Sequence, residues 1–115
     1  MIQPDTYELY AIKYGTHDRT AARNFMNPPD PHDAPYPIDY YVWACVSPSR
    51  TVIVDTGFDK AGAEERGRTW FRCPVESLKL IGIDAAEVTD VVITHMHYDH
   101  GGNLDKFPKA TFHIQ

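Results

Sequence analysis

The sequence has little positive charge and few cysteines. It contains 11 Lys and Arg residues against 16 Asp and Glu residues, for a formal net charge of −5, and the basic residues form no run. A nucleic-acid interface needs clustered positive charge, so we expect no nucleic acid among the partners. The two cysteines, Cys45 and Cys73, form no Cys-x-x-Cys pair, and their number and spacing indicate no disulfide framework.

Long apolar runs are also missing. No stretch is long enough to cross a bilayer, and the first residues lack the basic region and apolar core of a secretory signal. We therefore expect no membrane partner and a cytoplasmic location. The 115 residues are 43% hydrophobic, which is enough for a packed core but for one domain at most.

Four side chains that commonly bind transition metals lie within six consecutive residues. They have the spacing His-x-His-x-Asp-His and are His95, His97, Asp99 and His100. An apolar, β-branched run at 91–94 precedes them and is typical of a buried strand. Two glycines follow at 101–102 and allow the backbone to turn sharply and approach closely. The pattern predicts a metal site at the end of a strand; the alternative is a surface histidine cluster that binds no metal.

The spacing also predicts how the ligands are grouped. Residues two apart in an extended segment point the same way, so we expect His95 and His97 to reach one ion together. Asp99 and His100 follow as the chain turns and should face a neighbouring position. Imidazole suits zinc or iron, and an adjacent carboxylate suits a hydrolytic ion. Two-metal sites hold their ions about 3.5–4 Å apart, so one short loop can contribute to both.

The order of the predicted elements indicates a mixed sheet with helices packed outside it. The predicted strands cover residues 7–15, 38–46, 51–55, 91–94 and 110–114. Helical segments are expected as a short helix or loop within 58–69, a helix over 74–81 that stops at Gly82, and a turn at 103–107. Trp43 and the neighbouring tyrosines are expected in the core.

A proline-rich segment separates the first two strands. Five prolines between residues 28 and 37 exclude a helix or central strand, so we expect a loop over 16–37. Phe25, Met26 and Tyr36 are candidates for a substrate pocket or a dimer contact, and a mobile surface loop is an equal alternative. Outside the motif, His17 and His32 are expected to be exposed, and His113 to have a structural role.

Residues 94–102 resemble the metal-binding signature of the metallo-β-lactamase superfamily. The segment at 52–57, Val-Ile-Val-Asp-Thr-Gly, is similar to the strand-Asp-Thr-Gly segment that precedes this signature, and the resemblance covers roughly residues 38–115. It implies an α/β (α+β) fold, the αββα sandwich, of which residues 1–115 supply the N-terminal half of a single domain. It also favours a supporting role for Asp55, which would accept a hydrogen bond from a ligand histidine or its backbone. The alternative for Asp55 is a simple strand-end turn.

The resemblance also implies an incomplete ligand set. The family takes a further histidine, a bridging aspartate and a last histidine from later segments, and residues 1–115 contain none of these positions. We therefore expect that the chain is a fragment of the domain or that the C-terminal part lies on another chain. The expected protein partner is that C-terminal part or, alternatively, a second copy in a homodimer. The expected cofactors are two divalent metal ions, zinc first, with iron or manganese as alternatives.

The resemblance finally implies a function. Within the superfamily the pattern looks most like the lactonase branch, which includes N-acyl-homoserine lactone hydrolases. We expect a metal-activated water to open a lactone or similar carbonyl ester, with Asp99 as the catalytic proton carrier. The sequence indicates no Ser-His or Cys-His nucleophile. The alternatives are a glutathione thioester hydrolase, a di-iron redox protein and a metal-binding fragment without catalysis.

Overall fold

A mixed β-sheet carries the fold. The structure is a computed structural model that describes residues 4–28, 30 and 32–115. Within these residues, six strands pair in the spatial order β4-β1-β2-β3-β5-β6. The strands are β1 Glu8–His17, β2 Ile38–Val46, β3 Thr51–Val54, β4 Thr69–Trp70, β5 Asp90–Ile93 and β6 Thr111–Ile114. Five of them were predicted; β4 was not, because two residues give too short a pattern to recognise.

The sheet has an antiparallel part and a parallel part. β1 pairs antiparallel with β2 and β4, and β2 with β3, whereas β3, β5 and β6 are parallel neighbours. In the β3–β5 pair, Ile53 lies opposite Val91 and Val54 opposite Val92. Parallel neighbours end at the same edge of a sheet, so the segments that follow β3 and β5 leave it side by side. This edge is where the predicted metal ligands begin.

Short helices connect the strands. The α-helices are α1 Ala21–Asn24 and α2 Lys60–Arg66, and the 3₁₀ helices are Glu76–Ile81, Ala85–Glu87 and Leu104–Lys106. The helix predicted over 74–81 is confirmed over Glu76–Ile81 and is of the 3₁₀ type, with i→i+3 hydrogen bonds such as Leu78 N to Val75 O. Its predicted stop is confirmed, since Gly82 has the left-handed φ of 77°. The longest helix in the described part of the chain has seven residues, too few to cross a bilayer.

The core lies on one face of the sheet. The buried strand residues alternate with exposed ones and include Ile12, Tyr14, Val42, Ala44, Ile53, Val91 and Ile93. They form one cluster with Phe58, Ala63, Val75, Leu78 and Phe107 from the connecting segments. Trp43 was expected in the core, and this was wrong: it alternates with Val42 and Ala44, so it points to the opposite face and is 46% exposed.

The segment between β1 and β2 is mostly loop, as predicted, but α1 contradicts the exclusion of any helix. The prolines start at residue 28, so they do not remove donors from the four residues of α1. Phe25 and Tyr36 pack edge to face, with ring centroids 5.0 Å apart, and both are exposed. Pro29 and Pro31 lie outside the described residues.

Candidate metal centre

The predicted ligands lie at the sheet edge where β3 and β5 end. Residues 94–102, called the ligand loop below, follow β5 directly. His95, Asp99 and His100 each present one ligand atom, and the three atoms lie within 4.8 Å of one another. The imidazole rings of His95 and His100 have centroids 3.9 Å apart. Two nitrogens and one oxygen therefore converge on one small volume.

This grouping differs from the predicted pairs. His95 converges with Asp99 and His100, and His97 is not part of that group of three, although its ring lies edge-on to His95 with centroids 4.5 Å apart. Strand alternation does not apply here, because β5 ends at Ile93. A tight turn then returns the chain, since the backbone N–H of His100 donates to His97 O at 3.0 Å. The turn brings His100 back to His95.

Asp55 lies directly behind the ligand loop. Its side chain is buried, and the residue is 4% exposed. The carboxylate accepts hydrogen bonds from the backbone N–H of Thr94 at 2.9 Å, from the Thr94 hydroxyl at 3.0 Å and from His100 Nδ1 at 2.6 Å. The predicted hydrogen bond from a histidine of the motif to Asp55 is confirmed for His100, and the backbone N–H that Asp55 also accepts from belongs to Thr94. Asp55 also has a φ of 63°, a left-handed conformation that Asp and Asn tolerate better than most residues.

These hydrogen bonds determine which imidazole nitrogens carry protons. An ionised carboxylate can only accept, so a neutral His100 that donates from Nδ1 has its lone pair on Nε2. That Nε2 lies 3.3 Å from Asp99 Oδ2. The Thr94 hydroxyl donates to Asp55, and its oxygen lies 3.2 Å from His95 Nδ1, which can donate to it. One buried carboxylate thus orients two imidazoles, in the way that supporting residues orient metal ligands.

Thr56, the residue after Asp55, attaches the end of the ligand loop to β3. The backbone N–H and the hydroxyl of Thr56 both donate to His100 O, at 2.7 and 2.9 Å. Asn103 is buried and donates from its side chain to Thr56 O at 2.9 Å. The predictions named neither Thr56 nor Asn103 as part of the site. The three-residue run after β3 was the available signal, but only its aspartate was given a role.

The two glycines of the loop meet different surroundings. A Cβ on Gly102 would lie 2.5 Å from Gly57 O and 2.6 Å from Tyr98 O, both backbone atoms. A Cβ on Gly101 would lie 3.2 Å from the flexible end of Met96. The predicted close approach of the backbone is therefore confirmed for Gly102 and is not needed at Gly101.

Aromatic side chains form the floor under the loop, and the predictions did not identify them. Tyr14, on β1, is fully buried, and its hydroxyl donates to Asp99 O at 3.3 Å. Burial raises the pKa of Tyr14, so the hydroxyl remains a neutral donor. Tyr98 packs on Phe58 with ring centroids 5.5 Å apart, and Arg68 donates to the Tyr98 hydroxyl. No local sequence pattern marks contacts between residues 30 to 85 positions apart.

The histidines outside the motif have other partners. His113 lies 3.1 Å from Asp90 at the far end of β5, in keeping with the predicted structural role. His32 is exposed, as predicted, and contacts Asp30. His17 was expected to be exposed but is half-buried, because Arg68 lies against it.

The donor set fits a divalent metal ion. His95 and His100 can each present an Nε2 lone pair while Nδ1 is engaged, and Asp99 adds a carboxylate oxygen beside them. Two imidazoles and a carboxylate are a common ligand set for catalytic zinc, which leaves a fourth position for water. We therefore expect His95, Asp99 and His100, with His97 beside them, to hold the metal.

The sequence is similar to those of curated N-acyl homoserine lactonases. An N-acyl homoserine lactonase AttM of Rhizobium johnstonii is 29% identical over 120 residues, covering 93% of this chain and 45% of the relative. The AttM lactonase of Agrobacterium fabrum is 27% identical with the same coverage. The chain thus spans about half the length of these curated relatives.

Solved structures share the fold. A probable metal-dependent hydrolase from Staphylococcus aureus superposes with a TM-score of 0.72 at 15% identity, covering 92% of this chain and 46% of that one. AidC, described as a dizinc quorum-quenching lactonase, superposes with a TM-score of 0.62 at 24% identity, covering 96% and 42%. At these identities the likeness concerns the fold alone.

A match to a protein family covers most of the chain. Residues 34–115 match the Metallo-beta-lactamase superfamily. This range is well over half of the chain and includes Asp55 as well as the ligand loop. The chain therefore belongs to the metallo-β-lactamase superfamily.

Proposed function

We propose that the protein is a metal-dependent hydrolase that opens lactones, with N-acyl-homoserine-lactone-like esters as the first choice of substrate. The observation that carries the proposal is the convergence of His95, Asp99 and His100 within 4.8 Å, oriented by the buried Asp55. The names of the curated relatives, both lactonases, support the choice of substrate. A structural neighbour described with N-hexanoyl-L-homoserine at its catalytic metal centre supports it as well.

In this proposal the chain's own residues hold and orient the cofactor. His95 and His100 would hold an ion through Nε2, because their Nδ1 atoms face Thr94 and Asp55. We expect two divalent ions, zinc first. When bound, such ions lower the pKa of a water molecule toward neutrality and polarise a carbonyl group.

Asp99 is the proposed proton carrier. Its Oδ2 lies 3.3 Å from His100 Nε2, so these two atoms would hold an ion together and Oδ1 would be the oxygen left to accept a proton. In the proposed reaction, a water oxygen bonds to the lactone carbonyl carbon and the ring C–O bond breaks. Asp99 Oδ1 takes the proton from the water and returns it to the departing ring oxygen, which becomes a hydroxyl group. The products balance as one carboxylic acid and one alcohol on the same molecule.

The test uses the full-length protein. We expect it to hold close to two metal ions per site and to hydrolyse a panel of lactones more rapidly than matched thioesters. His97→Ala should lower metal content and activity together, while Asp99→Asn should slow turnover more than it weakens binding of the first ion. His113→Ala is the matched control, since this histidine also contacts an aspartate but lies away from the loop.

Four results would contradict the proposal. Full metal content in His97→Ala would remove that ligand from the site, and wild-type turnover in Asp99→Asn would remove the proton carrier. If the metal-loaded protein hydrolyses thioesters but no lactone, the substrate is a glutathione thioester and not a lactone. A protein that binds one ion or none and hydrolyses nothing would be a metal-binding module.

A further inference from the structure

Arg68 connects the ligand loop to the antiparallel part of the sheet. Its Nε–H is shared between the hydroxyl groups of Tyr40 and Tyr98, each 3.1 Å away, and these two hydroxyls lie 3.3 Å apart. Its Nη1 lies 3.1 Å from His17 Nε2 and donates to Arg66 O at 2.5 Å. One guanidinium therefore contacts β1, β2, the end of α2 and the ligand loop.

The backbone of Arg68 is fixed on both sides. It follows Gly67, whose left-handed φ of 67° ends α2, and its own N–H donates to Ala63 O at 2.8 Å. The next residue, Thr69, pairs with Thr16 of β1. The anchored backbone fixes the start of the Arg68 side chain, and the hydrogen bonds to Tyr40, His17 and Arg66 O fix its guanidinium. If the ligand loop moved, the guanidinium could follow it only by breaking these hydrogen bonds.

Tyr98 is the contact through which this anchor reaches the metal ligands. It lies between His97 and Asp99 in the chain. One contact of its ring is with Phe58, with centroids 5.5 Å apart at 32°, and another is with the Arg66 guanidinium, 3.8 Å from the ring centre. The hydroxyl is held by Arg68. A side chain held at its face and at its tip restricts rotation of the backbone on either side of it.

Different residues thus hold the ends and the middle of the ligand loop. Asp55 forms hydrogen bonds with Thr94 and His100, which lie near the two ends of the loop. Its hydrogen bonds do not include His97 or Asp99 in the described contacts. The middle of the loop is held by Tyr98 and by the hydrogen bond from Tyr14 to Asp99 O.

We infer that Arg68 is a positioning residue for the metal site: by fixing the Tyr98 hydroxyl, it sets the placement of His97 and Asp99. This inference rests on the proposed metal-dependent function. Arg68 takes no part in the chemistry, because the hydrogen bonds of its guanidinium go to two tyrosine hydroxyls, a histidine and a backbone carbonyl. Loss of groups that orient ligands typically lowers metal affinity 10–100-fold, so we expect about tenfold for Arg68→Met.

The experiment measures Co²⁺ and Zn²⁺ affinity of the full-length protein by competition with a chelator, together with the visible spectrum of the Co²⁺ form. Arg68→Met should lower affinity about tenfold and change the Co²⁺ bands. Arg68→Lys keeps the charge but not the planar donor, so it should restore affinity only in part. Arg50→Met is the matched control: it removes an exposed arginine at the hairpin turn, paired with Asp90 at 3.6 Å, and should leave affinity unchanged.

A double-mutant cycle tests the route through Tyr98. Tyr98→Phe keeps the ring and loses the hydroxyl, and should lower affinity by itself. Arg68→Met should cause little further loss in the Tyr98→Phe background, because the shared contact is already gone. Fully additive losses, or equal affinities of Arg68→Met and Arg50→Met, would overturn the inference.

Failure of the inference differs from failure of the proposed function. A wild-type protein that binds neither ion would refute the metal site itself, and the inference with it. If Arg68→Met does not fold, as judged by thermal unfolding of the metal-free protein, Tyr98→Phe decides: wild-type affinity and Co²⁺ spectrum in that variant refute the inference, and loss of affinity supports it.

Discussion

Replacing Asp55 with Asn should separate support of the metal ligands from support of the fold. Asn has nearly the same shape and tolerates the φ of 63° found here. Its Oδ1 can still accept from the Thr94 backbone N–H. The lost group is Oδ2, which accepts from His100 Nδ1 at 2.6 Å and from the Thr94 hydroxyl at 3.0 Å. An amide N–H₂ in that position faces donors instead of accepting from them.

The magnitude follows from these contacts. A hydrogen bond to a charged group contributes about 1.5–3 kcal/mol, so Asp55→Asn should lower the free energy of unfolding by about 2 kcal/mol. Asp55→Ala also loses the bond to Thr94 and places a Cβ-bearing residue without a polar side chain at positive φ, which adds about 1–2 kcal/mol. Metal affinity of the Asn variant should fall 10- to 100-fold, because His100 and His95 both lose their common orienting group.

Two measurements check this prediction. Denaturant unfolding of the metal-free protein gives the stability change, and chelator competition with Zn²⁺ gives the affinity. Asp90→Asn is the matched control, since Asp90 also contacts a histidine, His113, but at the opposite end of β5 and near the surface. Asp90→Asn should lower the free energy of unfolding by less than about 1 kcal/mol and leave Zn²⁺ affinity unchanged. Wild-type Zn²⁺ affinity in Asp55→Asn would refute the orienting role.

Three further predictions concern the surroundings of the site. Gly102→Ala should lower the free energy of unfolding by about 1–3 kcal/mol, because its Cβ would overlap backbone oxygens, while Gly101→Ala should cost less, as unfolding curves of the two variants would show. Tyr14→Phe should lower the free energy of unfolding by about 0.5–1.5 kcal/mol in the same assay, because it removes one neutral hydrogen bond. Burial, and next the charge of Arg68, lower the pKa of His17 below its ordinary 6.5, so the unfolded chain binds this proton more readily. The contribution of neutral His17 to the free energy of unfolding is complete above pH 6.5 and is lost as the pH falls through the folded-state pKa. An NMR titration of His17 should show the lowered pKa. In His17→Gln, the free energy of unfolding should depend less on pH.

The sequence was sufficient for the parts of the site that depend on local pattern. An apolar run followed by closely spaced ligands predicted β5 and the loop after it, and the second apolar run predicted β3 with Asp55 at its end. Both are properties of short segments, where strand periodicity and residue chemistry act directly. The support from Asp55 was reached through the family resemblance, and the structure gives it its partners, Thr94 and His100.

The rest of the site depends on tertiary contacts. The grouping of His95 with Asp99 and His100 follows from a turn after β5, where strand alternation no longer applies. Arg68 and Tyr98 are 30 positions apart, and although Tyr98 lies within the signature at 94–102, no local pattern links it to Arg68. Trp43 was misplaced because aromatic character alone does not say which face of a strand a residue occupies.

The parallel pairing of β3 with β5 has a consequence for how the protein would respond to the proposed metal ion. Asp55 and Thr94 are 39 positions apart, and only the alignment of these two strands brings them into contact. A cation that requires this alignment binds the folded form in preference to the unfolded one, so its affinity adds to the stability of the sheet. Chelation should therefore loosen the β3–β5 junction, and hydrogen exchange at the backbone N–H of Asp55, which donates to Val92 O at 2.8 Å, should report the loss first.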